Sequence, residues 1–290
     1  DTIPVACPRD CGKEIDLAAQ FAHELEVATY LARQAGKVVM THYHGDVVVE
    51  YKDEREPVTV ADREADQLIR AGLRDAFPAD GLLSEEAEDD PERLARKRVW
   101  IIDPVDGTTE FIDKTGEFVV QIALTVTGQP VLGVLYGPVH DQLYYAVRGQ
   151  GAFAVHDGRL TALHVSQQPD LGQMCLVASR SHYAGFVEAA RRRLGIDSVR
   201  RLGSVGLKIG QLSQGDCDLY LASRVCKEWD LCAPHAVLLE AGGVLTDLWG
   251  RVPVYNQALV SECRGVAASN GQAHGQILAA CAPLLHLLKR

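Results

Sequence analysis

The sequence predicts an α/β (α+β) protein, with helices first, an antiparallel sheet next and a mixed or mostly parallel sheet last. Three observations carry this. Apolar residues recur at helical spacing between residues 17 and 77. Apolar, β-branched runs with short Gly- and Pro-bearing links fill residues 99–153. After about residue 165, short apolar runs alternate with helical stretches.

In the first helix, Leu17, Phe21, Leu25, Ala28, Leu31, Ala35 and Val39 share one face, and Gly45 follows as a stop. A second helix runs from about Thr59 to Phe77, with Ala61, Ala65, Leu68, Ile69 and Leu73 inward and Pro78 closing it. Val99–Ile102, Phe118–Val126, Val131–Tyr136 and Leu143–Val147 read as strands. The links after Val126 and Tyr136, punctuated by Gly128-Gln129-Pro130, Pro138 and Asp141, are too short for crossovers and imply an antiparallel meander.

Further on, Cys175–Ala178, Val199–Leu202, Leu219–Ala222, Val244–Thr246 and Val266–Ala268 read as strands. The helical stretches between and after them are Tyr183–Leu194, Val205–Ser213, Asp230–Glu240 and His274–Leu288. The chain therefore divides into a tail (1–15), an α+β unit (16–160) and an α/β unit (161–290).

The chain has 290 residues, 47% of them hydrophobic, enough for a sizeable core. Its net charge of -10 has no basic stripe, which argues against nucleic acid as a partner. No apolar run is long enough to span a bilayer, and residues 1–15 lack the apolar centre of a secretory signal. Eight cysteines are too sparse for a disulfide framework, and Cys7 and Cys11 lack a second pair at zinc-site spacing. The expectation is a cytoplasmic protein with reduced, mostly buried thiols. Cys226 and Cys232 flank Asp230, and their spacing neither demands nor forbids a bridge.

The most informative segment is Trp100 to Phe111. An apolar strand runs into Asp103-Pro104-Val105-Asp106-Gly107-Thr108, where a tight turn would present both aspartates and the Val105 carbonyl on one side. Such oxygens suit a hard divalent cation, and the Gly-Thr backbone suits a phosphate bound on it. A calcium loop is excluded, because Val105 and Gly107 stand where that loop needs oxygen ligands.

Four further acids stand where such a site needs them: Asp62, Glu85, Glu86 and Asp230. Each has an ordinary reading. Asp62 completes a capping box with Thr59. Glu85 and Glu86 begin a solvated acidic run. Asp230 is an N-cap, with Pro234 tolerated in the first turn.

Together these residues resemble the pattern of the lithium-sensitive, magnesium-dependent phosphomonoesterases. That superfamily includes inositol monophosphatases, fructose-1,6-bisphosphatases and 3'(2'),5'-bisphosphate nucleotidases. Its elements occur in order as Asp62, Glu85-Glu86, Asp103 to Thr108, and Trp229-Asp230-Leu231-Cys232-Ala233, and the match spans roughly residues 16–285. The resemblance implies a five-layered αβαβα sandwich. It implies two or three Mg2+ ions, with Glu85, Asp103, the Val105 carbonyl and Asp106 binding first and Asp106 and Asp230 sharing a second site. It also implies that Asp62 and Thr108 activate a water, with Asp62 touching any third ion. The N–H groups of Gly107 and Thr108 would hold the phosphate. Inhibition by Li+ and a homodimer are further expectations of the family.

Within that superfamily the nucleotidases fit best. Glu110-Phe111, Gly116-Glu117-Phe118 and Cys226 to Pro234 look like nucleotidase segments, as do Ser179-Arg180-Ser181-His182 and Gly203 to Lys208. Ser179, His182, Ser204 and Lys208 would then contact the nucleotide and its second phosphate. Ser223 stands where inositol phosphatases often carry a Glu for a sugar hydroxyl. One departure is Thr109, where many nucleotidases have Lys. The resemblance thus implies hydrolysis of adenosine 3',5'-bisphosphate, and of its sulfated form, in sulfur assimilation. The alternatives are an inositol- or sugar-phosphate phosphatase and a non-catalytic metabolite-binding protein on the same fold.

Overall fold

The computed structural model describes residues 20–45, 49–51, 57–181, 185–261 and 263–288. Leu17, Cys7, Cys11 and His182 lie outside these residues. Two helices come first, α1 (Ala22–Tyr43) and α2 (Val60–Ala76), around a small hairpin of β1 (Val49–Tyr51) and β2 (Pro57–Thr59).

A seven-stranded sheet follows: β3 (Gly81–Ser84), β4 (Arg98–Asp106), β5 (Val119–Val126), β6 (Gln129–Gly137), β7 (Gln142–Val147), β8 (Gly151–His156) and β9 (Arg159–Ala162). β3 lies parallel to β4, and the rest is an antiparallel meander, as the short links require. A short helix, α3 (Thr108–Ile112), interrupts it after β4.

The second sheet has five strands in the order β11-β10-β12-β14-β13. These are β10 (Cys175–Ser179), β11 (Ser198–Leu202), β12 (Leu219–Cys226), β13 (Val244–Asp247) and β14 (Cys263–Ser269). β10 pairs in parallel with β11 and β12, while β14 is antiparallel to β12 and β13, so the sheet is mixed. Helices α4 (Gly185–Leu194), α5 (Val205–Ser213), α6 (Glu228–Glu240) and α7 (His274–Cys281) connect and cover it.

The packing gives five layers. α1 and α2 cover the outer face of the first sheet, burying Leu31, Ile69 and Leu73 against Trp100, Ile102, Ile122 and Leu132. The opposite face of β4, carrying Val99 and Ile101, packs toward α5, α6 and the second sheet, with Ile209, Leu212, Val237 and Tyr220. Burial on both faces is why the start of β4 reads as an unbroken apolar run rather than an alternation. α4 and α7 close the far side, where Phe186, Val187 and Ile277 meet Leu219, Leu221 and Ala267. α6 occupies the centre, with Leu231 through Leu238 all buried, so it shows no single apolar stripe.

The structure corrects several boundaries. The His274–Leu288 stretch is an α-helix only to Cys281 and continues as a 3-10 helix over Ala282–Leu287. Pro283 removes one helical hydrogen bond and its ring crowds the preceding turn. The meander runs on through β8, whose inward residues Ala152 and Ala154 are small, and β9, which is exposed throughout, so neither shows a strong apolar alternation. Asp103 to Asp106 form the end of β4 rather than a turn, and the chain turns only at Gly107.

Candidate active site

In a regular strand, residues three apart face opposite sides of the sheet. Asp103 pairs with Gln121 but Asp106 pairs with Val119, so β4 advances three residues while β5 advances two. This bulge contains Pro104, which has no N–H to lose from the ladder. It rotates the strand end so that carboxylate oxygens of Asp103, Asp106 and Asp230 come within 4.8 Å of one another. Asp103 Oδ1 steadies the bulge by accepting the Val105 N–H at 3.0 Å. Gly107 then takes a left-handed φ of 108° and leads into α3.

Glu85 arrives by strand pairing. β3 aligns Ser84 with Ile102, and the Glu85 N–H donates to the Ile102 carbonyl at 3.2 Å, which sets Glu85 beside Asp103. The Asp103 pKa is driven well up, by burial first and then by repulsion from Glu85, Asp106 and Asp230. Burial likewise raises Asp230, with Arg224 opposing it.

Asp62 and Asp230 share a design. Each stands at the third position of a helix, and its Oδ2 accepts the N–H of the residue before that helix: Thr59 at 2.9 Å and Lys227 at 2.8 Å. The capping reading of Asp62 is therefore correct, and it leaves Oδ1 free to serve another partner. The Thr108 hydroxyl lies 3.2 Å from Asp62 Oδ1 and 3.2 Å from the Val105 carbonyl. Burial raises the Asp62 pKa, while hydrogen bonds from Thr59 and Thr108 restrain it. Asp230 is not an N-cap, because α6 starts at Glu228 and Pro234 lies inside it.

Asp106 meets the N-terminus of α5. Its carboxylate accepts from Ser204 Oγ at 2.5 Å, Val205 N at 3.1 Å and Gly206 N at 2.6 Å. Only glycine permits this approach at residue 206, since a Cβ there would stand 2.7 Å from Val119 and 3.3 Å from Asp106 Oδ2. The Ser204 hydroxyl also caps α5 by accepting the Leu207 N–H at 3.0 Å.

These groups line one cavity of about 180 Å3, shared by Glu85, Asp103, Val105, Asp106, Gly107, Thr108, Ser179, Ser204, Lys208 and Asp230. A second cavity of about 880 Å3 takes in Ser179, Lys208, Tyr220 and Arg224, with Phe186 and Leu287 on its apolar wall. Lys208 belongs to both. It is 3% exposed, and burial pulls its pKa down to about 8, with Asp106 opposing. Its ammonium stands 5.4 Å from the centre of the Tyr220 ring.

Sequence reasoning overlooked Arg224 and Lys227, which line the smaller cavity. Arg224 sits at an irregularity in β12 between Ala222 and Val225, and a register shift leaves no residue signature. Among the described residues the cysteines are free, as expected. Cys226 lies opposite Cys263 across two strands, and Cys175 and Cys217 have their sulfurs 3.6 Å apart.

Residues 22–285 match the model of the inositol monophosphatase family. The chain belongs to the inositol monophosphatase family. Its relatives there include the 3'(2'),5'-bisphosphate nucleotidase CysQ of Salmonella typhimurium, 38% identical over 80% of this chain and 93% of the relative. The CysQ of Aggregatibacter actinomycetemcomitans is 34% identical over 81% of this chain and 88% of the relative. Among solved structures, the extragenic suppressor protein SuhB of Bartonella henselae superposes with a TM-score of 0.78 at 28% identity, covering 90% of this chain and 98% of SuhB. The layered inositol monophosphatase fold expected from the sequence is the one observed.

The donor set of this family member fits a divalent metal. Its oxygens are hard ligands suited to Mg2+, Mn2+ or Ca2+, with no thiolate or imidazole among Glu85, Asp103, Asp106 and Asp230. Mutual repulsion among buried carboxylates is the electrostatic strain that a cation relieves.

Proposed function

We propose that the chain is a magnesium-dependent phosphomonoesterase that hydrolyses 3'(2'),5'-bisphosphate nucleotides, releasing AMP and phosphate from adenosine 3',5'-bisphosphate. The observation that carries this is the meeting of Asp103, Asp106 and Asp230 within 4.8 Å, beside a cavity that continues to a buried lysine. Glu85, Asp103, the Val105 carbonyl and Asp106 would hold one ion, Asp106 and Asp230 a second, and Asp62 would touch any third. When bound, such ions neutralise phosphate charge and acidify a water.

The chain's own groups do the rest. The Thr108 hydroxyl, positioned by Asp62 Oδ1, orients the attacking water, and Asp62 accepts its proton. Burial makes Asp62 a stronger base than an exposed carboxylate. The Gly107 and Thr108 N–H groups hold the phosphate being transferred. Lys208 and Arg224 supply positive charge for a second phosphate, and Ser179 lines the same cavity; His182 is the further nucleotide contact that the resemblance implies. Ser204 acts mainly through Asp106 and α5.

The homology to CysQ supports the nucleotide over an inositol phosphate, and Ser223 supports it further by offering no anionic acceptor to a sugar hydroxyl. On this reading Li+ inhibits, the sulfated nucleotide is a second substrate, and the enzyme is a cytoplasmic homodimer in sulfur assimilation. No helix among the described residues is long and apolar enough to cross a membrane. The test is phosphate release from adenosine 3',5'-bisphosphate, inositol 1-phosphate and fructose 1,6-bisphosphate, with and without Mg2+. The expected result is Mg2+-dependent release with preference for the nucleotide. Preference for inositol 1-phosphate would overturn the substrate and leave the metal chemistry standing.

A further inference from the structure

Two glutamates just beyond Gly107-Thr108, the phosphate loop of the proposed function, reach across to the second sheet. Glu117 accepts both nitrogens of the Arg180 fork, Nε at 2.9 Å and Nη2 at 2.5 Å, and also the Gly203 N–H at 2.7 Å. Glu110, itself buried, accepts the Ser181 hydroxyl at 2.6 Å. It packs so closely on Gly203 that a Cβ there would lie 2.2 Å from Glu110 Cγ. Arg180 then ties the two receiving segments together, its N–H donating to the Leu202 carbonyl at 2.9 Å.

The receiving segments matter. Ser179–Ser181 forms an edge of the larger cavity, and Gly203-Ser204 leads into α5, which carries Lys208 and contacts Asp106. Beside the direct bonds from Asp106 to the tip of α5, the grip of Glu110 and Glu117 on these two segments holds Lys208 at its distance from the carboxylate cluster. A substrate with one phosphate uses only the near end of that span. A substrate with two phosphates must fit both ends at once.

We propose that Glu110 and Glu117 are positioning residues for the second phosphate, a clamp that fixes the far wall of the cavity to the phosphate loop and so selects bisphosphate substrates. This rests on the nucleotidase reading above and names what enforces it. The clamp's value is alignment rather than stability. The Arg180 side chain is 48% exposed, and ion pairs that wet contribute little to folding. The bond to a backbone N–H inside the wall is what constrains geometry.

The test compares Glu117→Gln with the native enzyme on adenosine 3',5'-bisphosphate and inositol 1-phosphate, both with Mg2+. Gln still accepts the Gly203 N–H but loses the charged fork. The KM for the bisphosphate should rise roughly tenfold with kcat within about threefold. For inositol 1-phosphate kcat/KM should stay within about twofold, and half-saturation by Mg2+ should not move. An equal loss on both substrates, or an unchanged KM for the bisphosphate, overturns the clamp alone. If Glu117→Gln does not fold, Ser181→Ala gives the same comparison through Glu110. A rise of about threefold in the bisphosphate KM is expected there, and no rise overturns the clamp. A native enzyme that prefers inositol 1-phosphate overturns the nucleotidase reading and the clamp together.

Discussion

Asp62 divides its two oxygens between folding and chemistry, one capping α2 and one facing Thr108. The sequence contained both roles, and a capping box with its ends three residues apart was enough to see the first. Asp62→Asn keeps an oxygen for the Thr59 N–H but cannot take a proton from water. Phosphate release should therefore fall about 10²–10⁴-fold, while unfolding by urea shows a loss under about 1 kcal/mol. Asp103 behaves in the opposite sense. Its carboxyl is buried among like charges, so Asp103→Asn should raise the Tm of the metal-free protein, by about 2–4 °C per kcal/mol of repulsion relieved. The same variant should lose the rise in Tm that Mg2+ gives the native protein. A metal-free Tm that falls would mean that the carboxylate is stabilising where it stands.

At the scale of elements, the bulge in β4 and the tip of α5 make the site. The spacing Asp103-Pro104-Val105-Asp106 announced that two acids act together, and the proline hinted at an irregular backbone. That a strand, not a turn, holds them depends on pairing with β5, which no local residue encodes. The tip of α5 was legible as a helix start and not as the partner of Asp106, because Gly206 matters only through what it lets approach. Gly206→Ala should displace that tip and cost about 1–3 kcal/mol in chemical denaturation. It should also weaken half-saturation by Mg2+ by moving Asp106. α6 began earlier than read, since Glu228 is spent on the N–H groups of Asn256 and Gln257 at 2.6 and 2.7 Å, an interaction between distant segments.

At the scale of the molecule, the second sheet, the central strands β4 to β7 of the first and the longer helices were legible from apolar patterning, because long apolar faces must be covered, whereas the short β3, β8, β9 and α3 were not. Central burial also stayed hidden. α6 is apolar on all sides, and only its place between the sheets explains the neutral His235 it carries. His235 is fully buried, its Nδ1 lies 2.8 Å from the Tyr255 hydroxyl, and burial lowers its pKa to about 4. Between its ordinary value of 6.5 and about 4, the unfolded chain binds a proton there that the folded protein refuses. Stability from this group is thus intact above about pH 6.5 and declines as pH falls through that window. His235→Gln removes the titration. Its unfolding free energy relative to native protein should improve by roughly 2–3 kcal/mol between pH 7.5 and 4.5 in urea titrations, and a constant difference would refute the assignment.

The central claim, that distant acids meet to bind divalent ions for phosphate ester hydrolysis, is most directly tested by anomalous diffraction from crystals soaked in Mn2+. The predicted result is strong anomalous density among the carboxylates of Glu85, Asp103, Asp106 and Asp230. Density only elsewhere, in a protein that still releases phosphate, would contradict it.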